Sequence, residues 1–295
     1  MPDFMYSRYP MDIKRAYRFR FYSTPEQESI LARTFGCARL VKDLRLAKMD
    51  EPLAIRWSRE IPKAAKVTTV AVSKDAASRY FVSMLCDDAV EPRAPVAGQV
   101  GIDLGLTHFV VLLTGEKVPA PKLFRKHEKR LARAQRDLSR KQKGSKNRAK
   151  ARLKVARAHA RIAAARKDFT HKLSARLVNE NQVIATETLA ISNLQKNGCL
   201  AKSIGDAGWS EFVRQLEYKS KWYGRTLIGI DPWYPSSKRC NDCGYTVSAL
   251  PLSVREWACP GCGASHDRDV NAARNVLAAG LAVSACGENV SPVSL

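Results

Sequence analysis

Val100-Gly101-Ile102-Asp103-Leu104-Gly105-Leu106, followed by the apolar run Phe109 to Leu113, reads as a buried strand carrying one carboxylate and joined through a tight turn to the next strand. An acid in such a strand is either structural polarity satisfied by hydrogen bonds or part of a chemical site. The second reading needs partners, and two segments downstream offer them. Gln182 to Leu189 (QVIATETL) is a further buried-strand pattern with Glu187 near its end, and His266 to Asn275 (HDRDVNAARN) opens a helix on a pair of acids.

The 100–113 segment resembles the first hairpin of an RNase H-type fold, and Asp103, Glu187 and Asp269 each stand at an element end that such a sheet can bring together. Three clustered carboxylates repel one another and lose hydration, which raises their pKa values unless cations are present. Two Mg2+ ions about 3.5–4 Å apart would relieve that repulsion and hydrolyse a phosphodiester, one activating water and one stabilising the leaving oxygen. Asp103, Glu187 and Asp269 are therefore the expected catalytic Mg2+ ligands. Of the two acids around Arg268, Asp269 leads a helix with Asn271 and Asn275, whereas Asp267 reads as a cap or a supporting group.

Just before that helix lie Cys240-x2-Cys243 and Cys259-x2-Cys262. Two such pairs supply the four thiolates of a tetrahedral structural zinc site, with Gly244, Gly261 and Gly263 where the chain must turn tightly around sulfur. The other cysteines, Cys37, Cys86, Cys199 and Cys286, are isolated in or near apolar stretches and read as reduced thiols, which fits a cytoplasmic protein. No stretch approaches the length of a membrane span, and the N-terminus does not read as a signal peptide. Met11 reads as a more natural start than Met1.

The 295 residues carry 50 Lys and Arg against 28 Asp and Glu, a formal charge of +22 that points to a polyanionic partner, nucleic acid first. The excess is concentrated. Lys122 to Lys172 holds 20 Lys and Arg against Glu128, Asp137 and Asp168, in two stretches split at Gly144-Ser145. Leu131, Leu138, Leu153, Val155, Ile162, Phe169 and Leu173 form a sparse apolar stripe through it, so the spacing predicts a long helical hairpin with a wide cationic face. Arg125, Lys126, Lys129, Arg130, Arg133, Arg136, Arg140, Lys141, Lys150 and Lys154 are its candidate phosphate contacts. Lys238, after Ser236-Ser237, is either another such contact or part of a simple turn; Arg268 is a contact or an ion-pair partner of its flanking acids.

Upstream, Arg15 to Tyr22 alternates as a strand. Thr24, Pro25 and Gln27 then form a helix start, predicting a helix through Ile30, Leu31, Phe35, Ala38 and Val41 to about Ala47. Lys66 to Ser73 and Arg79 to Cys86 read as a β-hairpin, Ala89 to Gly98 as a proline-stiffened linker, Trp209 to Tyr223 as a core-packing helix and Thr226 to Ile230 as a buried strand.

Tyr17 to Ala38 (YRFRFYSTPEQESILARTFGCA), GIDLG at 101–105, TETLAISNL at 186–194, YPSSKRCNDCG at 234–244 and HDRDVNAARN at 266–275 together resemble TnpB, the OrfB-type protein of bacterial insertion sequences, in order and over nearly the whole chain. The resemblance implies an RNA-guided DNA endonuclease encoded by a transposable element and related to type V CRISPR nucleases. In it a RuvC domain holds Mg2+ on Asp103, Glu187 and Asp269, and Cys240, Cys243, Cys259 and Cys262 hold structural zinc. It also implies a guide RNA from the element end and a double-stranded DNA target, with no membrane or small-molecule substrate, and a site-adjacent role for Arg268.

The expected fold is α/β, an RNase H-like (RuvC) core with an inserted basic helical hairpin and a zinc ribbon, preceded by a small β-rich N-terminal domain. The expected division is a wedge-like unit at 1–90 with one helix, a linker at 91–99, the first part of the core at 100–235 with the hairpin at 122–179, the ribbon at 236–265, the last core helix at 266–282 and a tail at 283–295. Only about Met49 to Ala65 stands where the family carries a longer recognition lobe. The chain is thus either a miniature nuclease or an internally deleted relic that binds nucleic acid without efficient cleavage; a nuclease-inactive DNA-binding regulator would have lost an acid, and none is lost.

Overall fold

A computed structural model of the chain describes residues 11–33, 38–39, 45–46 and 51–285. Its elements in order are β1 (Met11–Tyr22), α1 (Pro25–Arg33), β2 (Ala38–Arg39), β3 (Arg45–Leu46), β4 (Ala54–Arg56), β5 (Lys66–Lys74), β6 (Tyr80–Val90), β7 (Gln99–Leu104), β8 (His108–Leu112), β9 (Lys117–Pro119), α2 (Leu123–Ser139), α3 (Lys146–Glu180), β10 (Val183–Glu187), α4 (Ile191–Leu194), α5 (Ala201–Ala207), α6 (Trp209–Tyr223), β11 (Thr226–Ile230), β12 (Glu256–Ala258), β13 (Ser265–Asp267) and α7 (Arg268–Ala285). They divide into two compact units. One draws on Tyr9–Glu91 and Glu128–Ala163, the other on Pro92–His127 and Ala164–Leu295.

In the first unit β4-β1-β6-β5 form an antiparallel sheet. Alternation along β1 buries Tyr17, Phe19 and Phe21 with Val82 and Met84 of β6. Arg18 takes the other face, its guanidinium 3.9 Å from the Phe81 ring centroid. The predicted capping box closes α1: Thr24 Oγ1 accepts the Gln27 amide at 3.2 Å and Gln27 Oε1 accepts the Thr24 amide at 3.1 Å. The long helix predicted beyond it is corrected. Helix α1 ends at Arg33, and Ala38 lies in β2, paired with β3, while Phe35, Val41 and Ala47 lie outside the described residues. Residues 38–39 form a strand ladder with Arg45–Leu46, whose backbone hydrogen bonds a helix through Ala38 could not make.

Helices α2 and α3 are joined through a short corner that uses two devices. Gly144 adopts φ +84°, and Ser145 Oγ accepts the Arg148 amide at 3.1 Å, which caps α3. Arg148 Nη1 then donates to the carbonyls of Leu138 and Lys141 at 3.1 and 2.8 Å, satisfying the frayed end of α2.

The second unit is organised by a five-stranded sheet in the order β11-β10-β7-β8-β9. β11, β10 and β7 run parallel, whereas β8 and β9 return antiparallel. The main core joins Val100, Ile102 and Phe109 of this sheet to Leu177 of α3 and Phe212 of α6, with Phe109 edge-on to both Phe169 and Phe212 at 5.1 Å. Helix α7 packs on β7, β10 and β11, burying Val276 with Ala185 and Ile230. It continues to Ala285, three residues past the expected end. No helix among the described residues is long and apolar enough to cross a membrane.

The seating of α7 depends on glycine. A Cβ on Gly101 would lie 2.0 Å from the Ala273 carbonyl oxygen and 2.8 Å from the Leu277 nitrogen, both helix backbone that cannot rotate aside. Gly280 serves the same approach from the helix side, where an added Cβ would lie 2.9 Å from the Ala185 Cβ. Gly101→Val should therefore lift α7 from the sheet and destabilise the chain by about 3 kcal/mol or more. At a few degrees per kcal/mol, thermal denaturation should show a Tm lower by roughly 10 °C; an unchanged Tm would refute this packing.

Candidate functional site

β7 and β10 are parallel neighbours with Ile102 opposite Thr186, so the next residue on each strand, Asp103 and Glu187, emerges at the same sheet edge. This is the carboxyl end of the parallel strands, where open α/β sheets bind ligands. Helix α7 supplies the third acid. Its Ala273 sits over Gly101, and Asp269, one turn earlier, is about 6 Å back along the axis, close to the two-residue rise from Gly101 to Asp103.

Electrostatics report the convergence. Burial first, then repulsion from Glu187 and Asp269, pushes the Asp103 carboxyl well above the ordinary range, while the cationic Arg268 and Arg255 oppose the shift. Burial also raises Glu187, against a hydrogen bond donated to its Oε1 by Ser236 Oγ at 2.6 Å. Asp269 pairs with Arg255 Nη1 at 3.5 Å. Carboxylate oxygens are hard donors of the kind that suit Mg2+, though the three acids are less closed than a set that holds a single ion.

Asn271 and Asn275, one turn apart on α7, hold the loop that carries Ser236. Asn275 Nδ2 donates to the carbonyls of Ser236 and Arg239 at 2.8 and 2.6 Å, and Asn271 Nδ2 donates to Arg239 at 2.7 Å. Asn271 Oδ1 in turn accepts the Asn241 amide at 3.0 Å. Asp267 is a cap: its Oδ1 accepts the amides of Asp269 and Val270 at 3.1 and 3.0 Å, while Oδ2 meets Lys117 Nζ at 2.5 Å. Although burial opposes it, these contacts hold the Asp267 carboxyl below its ordinary pKa.

The four sulfurs of Cys240, Cys243, Cys259 and Cys262 lie within 4.8 Å of one another, the one His, Cys, Asp and Glu group so closed among the described residues. Cys240 to Cys262 is 3.8 Å and Cys243 to Cys259 is 3.6 Å. A tetrahedron with bonds of about 2.3 Å has edges of about 3.8 Å, so the set fits Zn2+. Both knuckles share one construction. The Gly244 amide donates to the Cys240 carbonyl and the Gly263 amide to the Cys259 carbonyl, at 2.9 and 2.8 Å, and both glycines have positive φ, +79° and +76°. Gly261 is needed for a different reason, since a Cβ there would meet the Tyr245 side chain at 3.1 Å. His266, its ring tilted 41° against that of Trp257, places Nε2 3.0 Å from the Cys240 sulfur, a contact that sequence spacing did not single out.

The basic candidates fall into three settings. Lys126, Lys129, Arg130, Arg133 and Arg136 of α2, Arg140 just after it, and Lys150 and Lys154 of α3 are exposed, whereas Lys141 is half-buried and pairs with Asp137 at 3.4 Å. A groove of about 730 Å3 between the helices is lined by Arg130, Arg133, Arg136, Arg140 and Lys154 together with Arg157 and Arg161, two residues the sequence reading left out. Arg125 is exposed but engaged: its Nη2 donates to Ser203 at 2.6 Å, while the carboxylate of Asp206 accepts the Phe124 and Arg125 amides and caps α2 from α5. Lys238 and Arg268 tie down the cysteine-bearing segment, donating to the carbonyls of Ser248 and Pro251 at 3.2 and 2.8 Å.

Comparisons with known proteins find similar chains and folds. The OrfB IS605 family model, described as "Probable transposase", matches residues 69–198, and a model described as "Cas12f1-like, TNB domain" matches 209–276. A "Helix-turn-helix domain" model of the same family matches 11–41, where the structure has strand β1 and helix α1. A Streptomyces pristinaespiralis protein provisionally named an RNA-guided DNA endonuclease is 59% identical over 249 residues, which cover 84% of this chain and 62% of that protein. InsQ of Escherichia coli K12, provisionally named in the same way, is 37% identical over 80% of this chain and 61% of its own length. The chain thus spans about three fifths of these relatives. In fold it resembles the protein of a cryo-EM Cas12f1–sgRNA–target DNA complex, with a TM-score of 0.54 and 17% identity over 90% of this chain and 59% of that one.

Proposed function

We propose, from the premise that this chain belongs to the OrfB/TnpB family of insertion-sequence proteins, that it is an RNA-guided, Mg2+-dependent DNA endonuclease of a transposable element. The observation that supports the reading is that Asp103 and Glu187 follow paired residues of neighbouring parallel strands and that Asp103 feels the charges of both Glu187 and Asp269. A central strand flanked by an antiparallel pair on one side and two parallel strands on the other supports an RNase H-like core of the RuvC kind. Asp103, Glu187 and Asp269 would hold two Mg2+ ions, which supply an activated water and stabilise the leaving oxygen when bound. The Ser236 hydroxyl orients Glu187, the Asn271 and Asn275 amides hold Ser236 in place, and Arg255 and Arg268 limit the repulsion among the acids. Cys240, Cys243, Cys259 and Cys262 would hold a structural zinc ion.

The partners in this reading are a guide RNA transcribed from the element end and a duplex DNA target, base pairing supplying sequence specificity. The arginine-lined groove between α2 and α3 supports phosphate contacts along that path. One observation favours a second reading, a relic that binds nucleic acid without efficient cleavage: the chain covers about three fifths of its relatives, with only Met49 to Ala65 where a recognition lobe would stand. To decide, the protein is purified from cells expressing its native locus, the bound RNA is sequenced, and the complex is assayed with Mg2+ on DNA carrying randomised flanks. A discrete element-end RNA with cleavage beside one short flank is expected. RNA without cleavage, or no specific RNA, would favour the relic.

A further inference from the structure

We infer that Trp233 is a stacking platform for an unpaired base of the DNA strand held at the acids, an inference that rests on the nuclease reading above. Trp233 is 90% exposed, the most exposed large apolar side chain among the described residues. Tryptophan normally buries most of its ring, so so full an exposure draws attention when the backbone beneath is rigid and the neighbourhood is chemical. Both conditions hold.

The loop Asp231 to Pro235 is tethered to Glu187 at both ends. Ile230 pairs with Glu187 across the β10–β11 ladder, and Ser236 donates its hydroxyl hydrogen bond to the Glu187 carboxylate at 2.6 Å. Trp233 is three residues from each tether, so its Cα lies within roughly 10 Å of the Cα atoms of Ile230 and Ser236, the two residues that hold Glu187. Inside the loop, the Asp231 carboxylate accepts the Trp233 amide at 2.6 Å, and the Asp231 carbonyl accepts the Tyr234 amide at 3.1 Å. Pro232 and Pro235 fix φ on either side. Tyr234 packs against Ala185, Ile230 and Val276, which anchors the loop and leaves the indole face of its neighbour to solvent.

An exposed indole beside a site for a polyanion suits a nucleobase. Stacking is indifferent to base identity, as a guided enzyme requires of its own surface. A base inside a duplex already has both faces covered, so the occupant is one that has been unpaired. DNA is favoured over guide RNA because the platform is tied to the residue that would hold the catalytic ion, where the strand to be cut must lie.

The test cross-links the full chain, without added Mg2+, to single-stranded oligodeoxynucleotides carrying 5-iododeoxyuridine at successive positions and maps the adducts by mass spectrometry. An adduct on Trp233 is expected; Trp233→Ala should abolish it and weaken binding at least about fivefold, while Trp233→Phe retains most of the affinity. Adducts confined to other aromatic residues, unchanged affinity in Trp233→Ala, or an adduct obtained only with 5-iodouridine RNA would each overturn the inference. Cleavage with Mg2+ is measured in parallel. A wild-type protein whose guided complex never cuts DNA but forms the Trp233 adduct would defeat the nuclease reading and leave the platform standing; active cleavage that Trp233→Ala does not slow, with no adduct, would do the reverse.

Discussion

Replacing Asp103 with asparagine is expected to abolish Mg2+-dependent DNA cleavage while raising the melting temperature of the metal-free chain. On the proposed mechanism the first effect removes one carboxylate of the metal site, and the several kcal/mol that a bound ion supplies to the transition state correspond to a loss of roughly a thousandfold or more. The second effect follows from the direction of the Asp103 shift. Its folded-state pKa lies well above the ordinary value because the charged form is buried and repelled by Glu187 and Asp269. A carboxyl raised in this way binds its proton more tightly folded than unfolded, so its favourable contribution is complete below the unfolded pKa of about 4 and disappears as pH rises through the folded value. At neutral pH the ionised Asp103 is a liability that asparagine, of nearly the same shape, removes. Melting curves without divalent ions from pH 4 to 8 should therefore fall more steeply with pH for the wild type than for Asp103→Asn. Single-turnover cleavage gives the other readout. Retained cutting would cancel the assignment of Asp103, and a lower neutral-pH Tm in the variant would mean that its carboxylate supports the fold.

Removing zinc, by chelation or by Cys240→Ser, should have the largest structural effect. Around the four sulfurs the only buried apolar cluster among the described residues is Cys240, Trp257 and Cys259, with Val247, Leu250 and Val254 partly covered, too little to order residues 236–265 alone. Structural Zn2+ supplies about 10–16 kcal/mol in small zinc modules, so the segment should lose its fold when the ion leaves. The consequence reaches the acids through the chain. Cys240 follows the loop held by Asn271 and Asn275, and disorder there would free Ser236 from Glu187. The Cys240→Ser protein should carry no zinc by elemental analysis, be cut by protease between residues 240 and 262, and lose cleavage secondarily, while the sheet and its Phe109 core persist. A variant that retains zinc and resists protease would contradict the site.

Local physics was legible at several points in the sequence. The Thr24–Gln27 capping box, the Gly144-Ser145 corner of the basic hairpin and the positive-φ glycines after each cysteine pair all came from residues that interact within a few positions. Misreading began where local signals were evenly balanced. The apolar spacing from Ile30 to Val41 suited a helix, but the chain pairs Ala38–Arg39 with Arg45–Leu46. Gly36 alone did not announce that choice. Lys238 and Arg268 each donate to a carbonyl of the cysteine-bearing segment, contacts that the sequence did not single out. A formal charge records what a side chain can attract, not the partner that geometry supplies first.

The sequence by itself determined the strand that carries Asp103, the four-cysteine set and the cationic stretch, because periodicity, ligand spacing and composition are properties of the chain in one dimension. Only the tertiary structure decided that Ser236 grips Glu187 rather than ending a turn, that the charges of Asp103 and Asp269 meet across the fold, and that Trp233 stands exposed in the loop before Ser236. Those outcomes depend on contacts between residues 39 to 166 positions apart, such as Asn275 to Ser236 and Asp103 to Asp269. Directional hydrogen bonds and short-range repulsion act only once the sheet register and the seating of α7 on Gly101 have brought the partners together.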